Sequence, residues 1–216
     1  MSRPGPGGST SRSWGVSRDG AIARFELDTG EPTPTLSPEI LEELAAAIDR
    51  EAASGGTAAI VASARPGIFA AGADLRAVRA LSPAAGYRYA RTGQSALVRI
   101  AGARCTTIAE IDGPCFGGAL DLALSCDLRL ASARSLFSHP GPRLGIVTGW
   151  GGTVRAPRIA GGGRARRLFR SGEVFSAEGA LAMGLVDEVC APAELRRRVE
   201  AAASSAVELA AYQLFR

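Results

Sequence analysis

Apolar residues recur with two periods along this chain, and the switches between them mark its elements. Trp14 to Val16 and Ala21 to Leu27 alternate as half-buried strands do. Between them, Arg18-Asp19-Gly20 carries the Asp-Gly pair that favours a tight hairpin. Further on, Ile40, Leu41, Leu44, Ala47 and Ile48 repeat at helical spacing. They follow Ser37-Pro38-Glu39, a capping serine, a proline at the first helical position and an acid in the first turn, which predicts an amphipathic helix. Ala58 to Ala62, Thr106 to Ile111 and Leu128 to Ala131 are short apolar runs with β-branched residues, the pattern of buried parallel strands. Helical spacing separates and follows them over Pro83 to Ala101, Gly118 to Cys126, Trp150 to Ile159, Ala177 to Met183 and Ala193 to about Leu214. Strands alternating with helices predict βαβ units, hence an α/β fold with a parallel main sheet and right-handed crossovers. Residues 1 to 12 (MSRPGPGGSTSR) carry almost no apolar residue and predict a disordered lead-in. No internal repeat or second domain boundary is present, so one core is expected over residues 13 to 190, with a short helical segment over residues 191 to 216.

Composition narrows the chemistry. With 216 residues and 46% hydrophobic content, the chain can bury a sizeable core. It contains no run of about 18 apolar residues, and its first 15 residues lack the apolar centre of a secretory leader, so a soluble cytoplasmic protein is the expectation. All 25 basic residues are arginine, and lysine and asparagine are missing altogether. A Schiff-base lysine, a phosphate-loop lysine and a lysine general base are therefore impossible. Apart from Arg164/Arg166/Arg167/Arg170 and Arg196 to Arg198, the arginines are dispersed and lack interleaved aromatics, which argues for solvated helix faces rather than nucleic-acid binding. Cys105, Cys115, Cys126 and Cys190 lie far apart and form no C-x-x-C pair, so neither a metal knuckle nor a disulfide framework is expected.

Two glycine-rich turns follow the first two buried strands: Gly67-Ile68-Phe69-Ala70-Ala71-Gly72-Ala73-Asp74-Leu75 and Ile111-Asp112-Gly113-Pro114-Cys115-Phe116-Gly117-Gly118-Ala119-Leu120-Asp121. Where a strand ends and a helix starts, unpaired N–H groups point outward and favour negative charge. Small residues let a ligand oxygen approach them. Two such turns after neighbouring strands could aim two amides at one oxygen, which is what an oxyanion hole requires.

Phe69-Ala-Ala-Gly-Ala-Asp-Leu75, Ile111 to Leu122 and Ser125-Cys-Asp-Leu-Arg-Leu-Ala131 resemble the first two conserved segments of the crotonase (enoyl-CoA hydratase/isomerase) superfamily. Gly145-Ile146-Val147 with Trp150-Gly151-Gly152-Thr153, and Ser176 to Ala180 with Gly184 to Asp187, resemble the third and fourth, in the same order and spacing. The resemblance implies a spiral of repeated ββα units with a main sheet, a small second sheet and outer helices. It implies that the amides of Ala73 and Gly118 polarise a thioester carbonyl, and that backbone near Ala71 and Ala73 meets the adenine end of coenzyme A. Phe69, Asp74, Gly117, Gly141 and Trp150 join the expected substrate contacts, and Arg143 is considered with Trp150 for the acyl pocket. No tightly bound cofactor or metal is expected, coenzyme A entering as part of the substrate. An acyl-carrier thioester is the other candidate, and a homo-oligomer, trimer or hexamer, is expected.

Hydratases of this family use two glutamates. The first falls here on Asp121, a carboxylate on a shorter stem that can still transfer a proton, although an acid there also complements a helix dipole. The second falls on Gly141, which has no side chain. His139, the one histidine, lies two positions earlier and titrates near neutrality when unperturbed. Residues 27 to 34 lack the basic group that family members often present to the coenzyme A phosphates, and the chain ends soon after one helical run. Three functions stay open: hydration, dehydration, isomerisation or decarboxylation at a stabilised enolate in a secondary pathway; hydrolysis of a thioester or β-diketone-type C–C bond with His139; and a non-catalytic accessory subunit of a polyketide-type synthase.

Overall fold

The computed structural model describes residues 13–214, so the lead-in over residues 1 to 12 lies outside it. The chain opens with the hairpin β1 (Trp14–Asp19) and β2 (Ile22–Leu27), then α1 (Pro38–Ala53), β3 (Ala58–Ser63), α2 (Leu75–Arg79) and α3 (Pro83–Ala101). It continues through β4 (Thr106–Ile111), β5 (Pro114–Phe116), α4 (Gly118–Ala123), β6 (Leu128–Ser132), β7 (Leu136–Ser138) and α5 (Gly141–Leu144). The last third holds α6 (Gly152–Ala160), α7 (Gly162–Ser171), β8 (Val174–Ser176), α8 (Ala177–Met183), β9 (Glu188–Cys190) and, after a single 3-10 turn, α9 (Leu195–Leu214).

The main sheet runs β1-β2-β3-β4-β6-β9 and is antiparallel only at the opening hairpin. A second sheet, β5-β7-β8, stands beside it. This is the crotonase-type spiral that the motifs imply, with helices on the outside. Along β3 the two faces separate by the period of two: Ala58 and Ile60 meet Leu195, Val199 and Ala203 of α9, while Ala59 and Val61 join the larger core beneath α1 and α3. Because both faces are covered, the run reads as continuously apolar. The Ser37 hydroxyl accepts the Ile40 amide at 3.3 Å, and Leu41, Leu44 and Ile48 are fully buried on the inner face of α1.

The short pieces differ from expectation. β5, β7, β8 and β9 are three residues each, too short for periodicity to show. The helix expected from Gly118 to Cys126 stops at Ala123, and the one expected from Trp150 begins at Gly152. The first arginine cluster lies on α7, whose Ala165 and Leu168 are buried while the arginines face outward. No helix among the described residues is long and apolar enough to cross a membrane.

Candidate functional site

The two glycine-rich turns pack directly on each other. Gly72 holds φ +87°, and a Cβ there would fall 2.5 Å from the Phe116 carbonyl oxygen and 2.8 Å from the Gly118 nitrogen. Gly113, also at φ +87°, would collide with the Gly67 carbonyl at 2.0 Å. Main-chain bonds stitch the contact: Ala70 N–H donates to Pro114 O at 3.1 Å, and Phe116 N–H donates back to Ala70 O at 3.2 Å. Asp112 adds a side-chain clasp, accepting from Gly67 N–H at 3.1 Å, from Ser132 Oγ at 2.7 Å and from the Arg134 guanidinium. The Arg134 hydrogen bond, outweighing partial burial, holds the Asp112 carboxyl below the usual carboxylate range.

Neighbouring amides are spent on this scaffold, Ala71 donating to Pro34 O at 2.9 Å and Gly117 to Ser138 O at 2.9 Å. The Ala73 and Gly118 amides have no acceptor among the described residues. They are close: a Cβ on Gly118 would lie 3.5 Å from the Ala73 nitrogen. Both residues line a cavity of about 660 Å³, together with Ala71, Asp74, Gly117, His139, Gly141 and Trp150.

Two expected residues lie elsewhere. Phe69 does not line the cavity: its amide is bonded to Pro114 O at 3.1 Å and its ring belongs to the main core, 3% exposed. Arg143 also misses the lining, its stem packing on Gly172 instead. Asp74 reaches the rim as the cap of α2, its Oδ1 accepting the Arg76 amide at 2.9 Å. Arg76 lines the same cavity and has no carboxylate partner among the described residues.

Asp121 is fully buried and does not touch the cavity. Its Oδ1 is 2.9 Å from His139 Nε2, and its Oδ2 accepts the Thr148 hydroxyl. A Cβ at Gly152 would fall 2.0 Å from Oδ1, so only glycine leaves room for the carboxylate there. In the tautomer whose Nε2–H donates to Asp121, the Nδ1 lone pair has no partner among the described residues. The imidazole, 3% exposed, rests on Phe169 with ring centres 5.0 Å apart. Arg155 lies within Coulombic reach of Asp121; its own pKa is lowered by burial, the larger effect, against the pull of that carboxylate. His139 thus lines the cavity and is at the same time a buried partner of the aspartate, 18 positions apart in sequence.

Gly141 is closed to any side chain, because a Cβ would meet the Ile146 carbonyl oxygen at 2.5 Å. The opposite wall is aromatic. Trp150 stacks on Tyr89 with centroids 5.5 Å apart, and burial pushes the Tyr89 phenol up to about 12, so it stays neutral. The four cysteines are buried and free, with burial raising Cys105 to about 11 and Cys126 to about 12, which keeps both as unreactive thiols at neutral pH. Thr148, Arg155 and Tyr89 escaped the sequence reading. Only Tyr89 left a signal there, four residues before Gly93 on the helix face that continues to Ala96 and Leu97.

Comparison with known proteins identifies the family. The family model described as enoyl-CoA hydratase/isomerase matches residues 17–213. A short-chain-enoyl-CoA hydratase of Clostridium acetobutylicum is 30% identical over 193 residues, 89% of this chain and 74% of the relative. A probable enoyl-CoA hydratase of Mycobacterium avium is 35% identical over 176 residues, 82% and 68% of the two chains. Among solved structures, Pseudomonas aeruginosa DspI superposes with a TM-score of 0.87 at 27% identity, covering 95% of this chain and 84% of that one. The enoyl-CoA hydratase of Bacillus anthracis gives 0.83 at 27% identity, covering 90% and 76%.

Proposed function

Because the chain belongs to the enoyl-CoA hydratase/isomerase family, we propose that it binds an acyl-CoA thioester and moves a proton on the carbon beside the carbonyl. The Ala73 and Gly118 amides stabilise the enolate oxygen, and His139 is the base, with Asp121 as its positioning partner. The observation that carries this reading is the buried 2.9 Å His139–Asp121 contact beside two unspent amides. Amides aimed where charge develops act strongly in such a site because they need no reorganisation.

One base suffices for the chemistry. In dehydration, His139 Nδ1 takes the α-proton, the electron pair forms the C=C bond as the β-hydroxyl departs, and the same proton converts that hydroxyl to water. Hydration is the reverse. In isomerisation the proton returns to the γ-carbon of a dienolate. The closed position at Gly141 leaves the second hydratase carboxylate without a place, which favours one-base reactions over two-carboxylate positioning of water. Arg76 at the cavity rim is our candidate for the coenzyme A phosphates, in place of the basic group missing from residues 27 to 34. Exposed Ile146 and Val147 beside the cavity offer apolar surface for a second copy, so a homo-oligomer belongs to the same reading and light scattering tests it.

The experiment is titration with coenzyme A and a panel of acyl- and enoyl-CoA thioesters in deuterated water, with mass analysis of each product. Deuterium at the α- or γ-carbon, or a change by one water, supports the reading. Binding without either, together with stable co-purification of a synthase partner, overturns it in favour of the accessory role. Release of free coenzyme A dependent on His139 overturns it in favour of hydrolysis.

A further inference from the structure

A second cavity of about 510 Å³ adjoins the first, and Thr148, Gly149 and Trp150 line both. That short segment is the partition between them. Its side chain of consequence is Trp150, 3% exposed. A Cβ at Gly93 would fall 2.3 Å from its Nε1, and one at Gly118 would fall 2.4 Å from its Cζ3. Two glycines on separate elements therefore make the slot for the ring, and Tyr89 stacks on its face. The backbone is tied from both sides: Gln94 Nε2 donates to Gly149 O at 2.7 Å, and Arg155 Nη1 donates to Trp150 O at 3.0 Å. The second cavity is lined by Val98, Ala101 and Val154 on its apolar side and by Gln94, Arg155 and Arg158 on its polar side, so an alkyl chain would find part of its wall apolar.

We propose that Trp150 sets the depth of the acyl pocket: chains that end against the indole are accepted, and longer ones are excluded because the partition cannot swing aside. This rests on the acyl-CoA reading above. The ring fills space that a Cβ at Gly93 or Gly118 would take and is stacked on Tyr89, so displacing it gives up close packing, and the limit acts as a steric wall.

The test is calorimetric titration of the full chain with butyryl-, octanoyl- and palmitoyl-CoA. Wild type is expected to bind more tightly as the chain lengthens and then to lose affinity once the chain reaches the indole. A rise that continues unbroken to palmitoyl-CoA overturns the proposal without touching the acyl-CoA reading. Trp150→Ala is expected to move the optimum to longer chains, improving the longest by about tenfold or more as additional methylenes are buried. Adding Val98→Phe, which refills the second cavity, is expected to move it back. An unchanged ranking in Trp150→Ala overturns the proposal. Should that variant lose its folded circular-dichroism spectrum, Trp150→Leu is read by the same ranking. If no acyl-CoA binds wild type while the chain is folded, the functional reading fails and the depth limit falls with it.

Discussion

The two halves of the candidate site are built on opposite principles. The half proposed to hold the enolate oxygen, residues 67 to 74 and 111 to 118, presents main-chain amides and is shaped by what glycines lack, since Gly72 and Gly113 permit contacts that any Cβ would block. The half proposed to transfer the proton, His139 with Asp121 and Thr148, presents side chains and is shaped by burial, each group holding the next in one orientation. On that reading the first tolerates many neighbouring side chains, because backbone atoms would carry the function. The second depends on particular atoms, so single substitutions should separate the halves.

The largest effect is expected at the base. His139→Gln keeps a polar side chain but removes the titratable nitrogen, and turnover should fall about a hundred- to ten-thousandfold while the acyl-CoA Kd changes little. Equal loss of binding and turnover would argue that His139 only packs. Gly72→Ala attacks the other half: positive φ and two close backbone contacts should cost about 1–3 kcal/mol in urea unfolding and weaken thioester binding together with turnover. A variant that loses turnover alone would show that the turns are not the binding element. Thr148→Val removes one of the donors to Asp121, leaving a buried carboxylate oxygen short of a hydrogen bond. A loss of about 1.5–3 kcal/mol is expected in thermal or urea unfolding, with a smaller drop in turnover than at His139.

The smallest effect concerns the clasp between the turns. Asp112 has its folded pKa depressed, so its stabilisation is complete above the unfolded value of about 3.9 and is lost as pH falls through the folded value. Urea midpoints measured from neutral pH down to acid should decline more steeply for wild type than for Asp112→Asn. Parallel curves would mean that Arg134, Ser132 and Gly67 do not act through the charge. Gly141→Glu sharpens the same comparison, since the closed position should make it destabilising and incapable of adding a second acid.

How far each half could be read without coordinates follows from the same difference. The turns were legible in order and spacing, because glycine at a tight turn is a local requirement and the strands before them are continuous apolar runs. Strands β1, β2, β3, β4 and β6 and helices α1, α3 and α8 fell where periodicity placed them. Phe69 was misplaced, because whether a residue in an extended turn faces the cavity or the core depends on its partner strand, here the hydrogen bond to Pro114. His139 was open to a surface reading for the same reason: no local pattern announces a carboxylate arriving from another element.

The sequence by itself determined the family, the α/β plan, the two amide-bearing turns, the missing second acid and the exclusion of lysine chemistry, because each depends on residue type within one short segment. Only the tertiary structure decided that Asp121 lies out of reach of the cavity behind His139, that Gly141 is sealed by Ile146, and that Trp150 divides two cavities from a slot between Gly93 and Gly118. Those are contacts between distant segments, and packing rather than local pattern sets them.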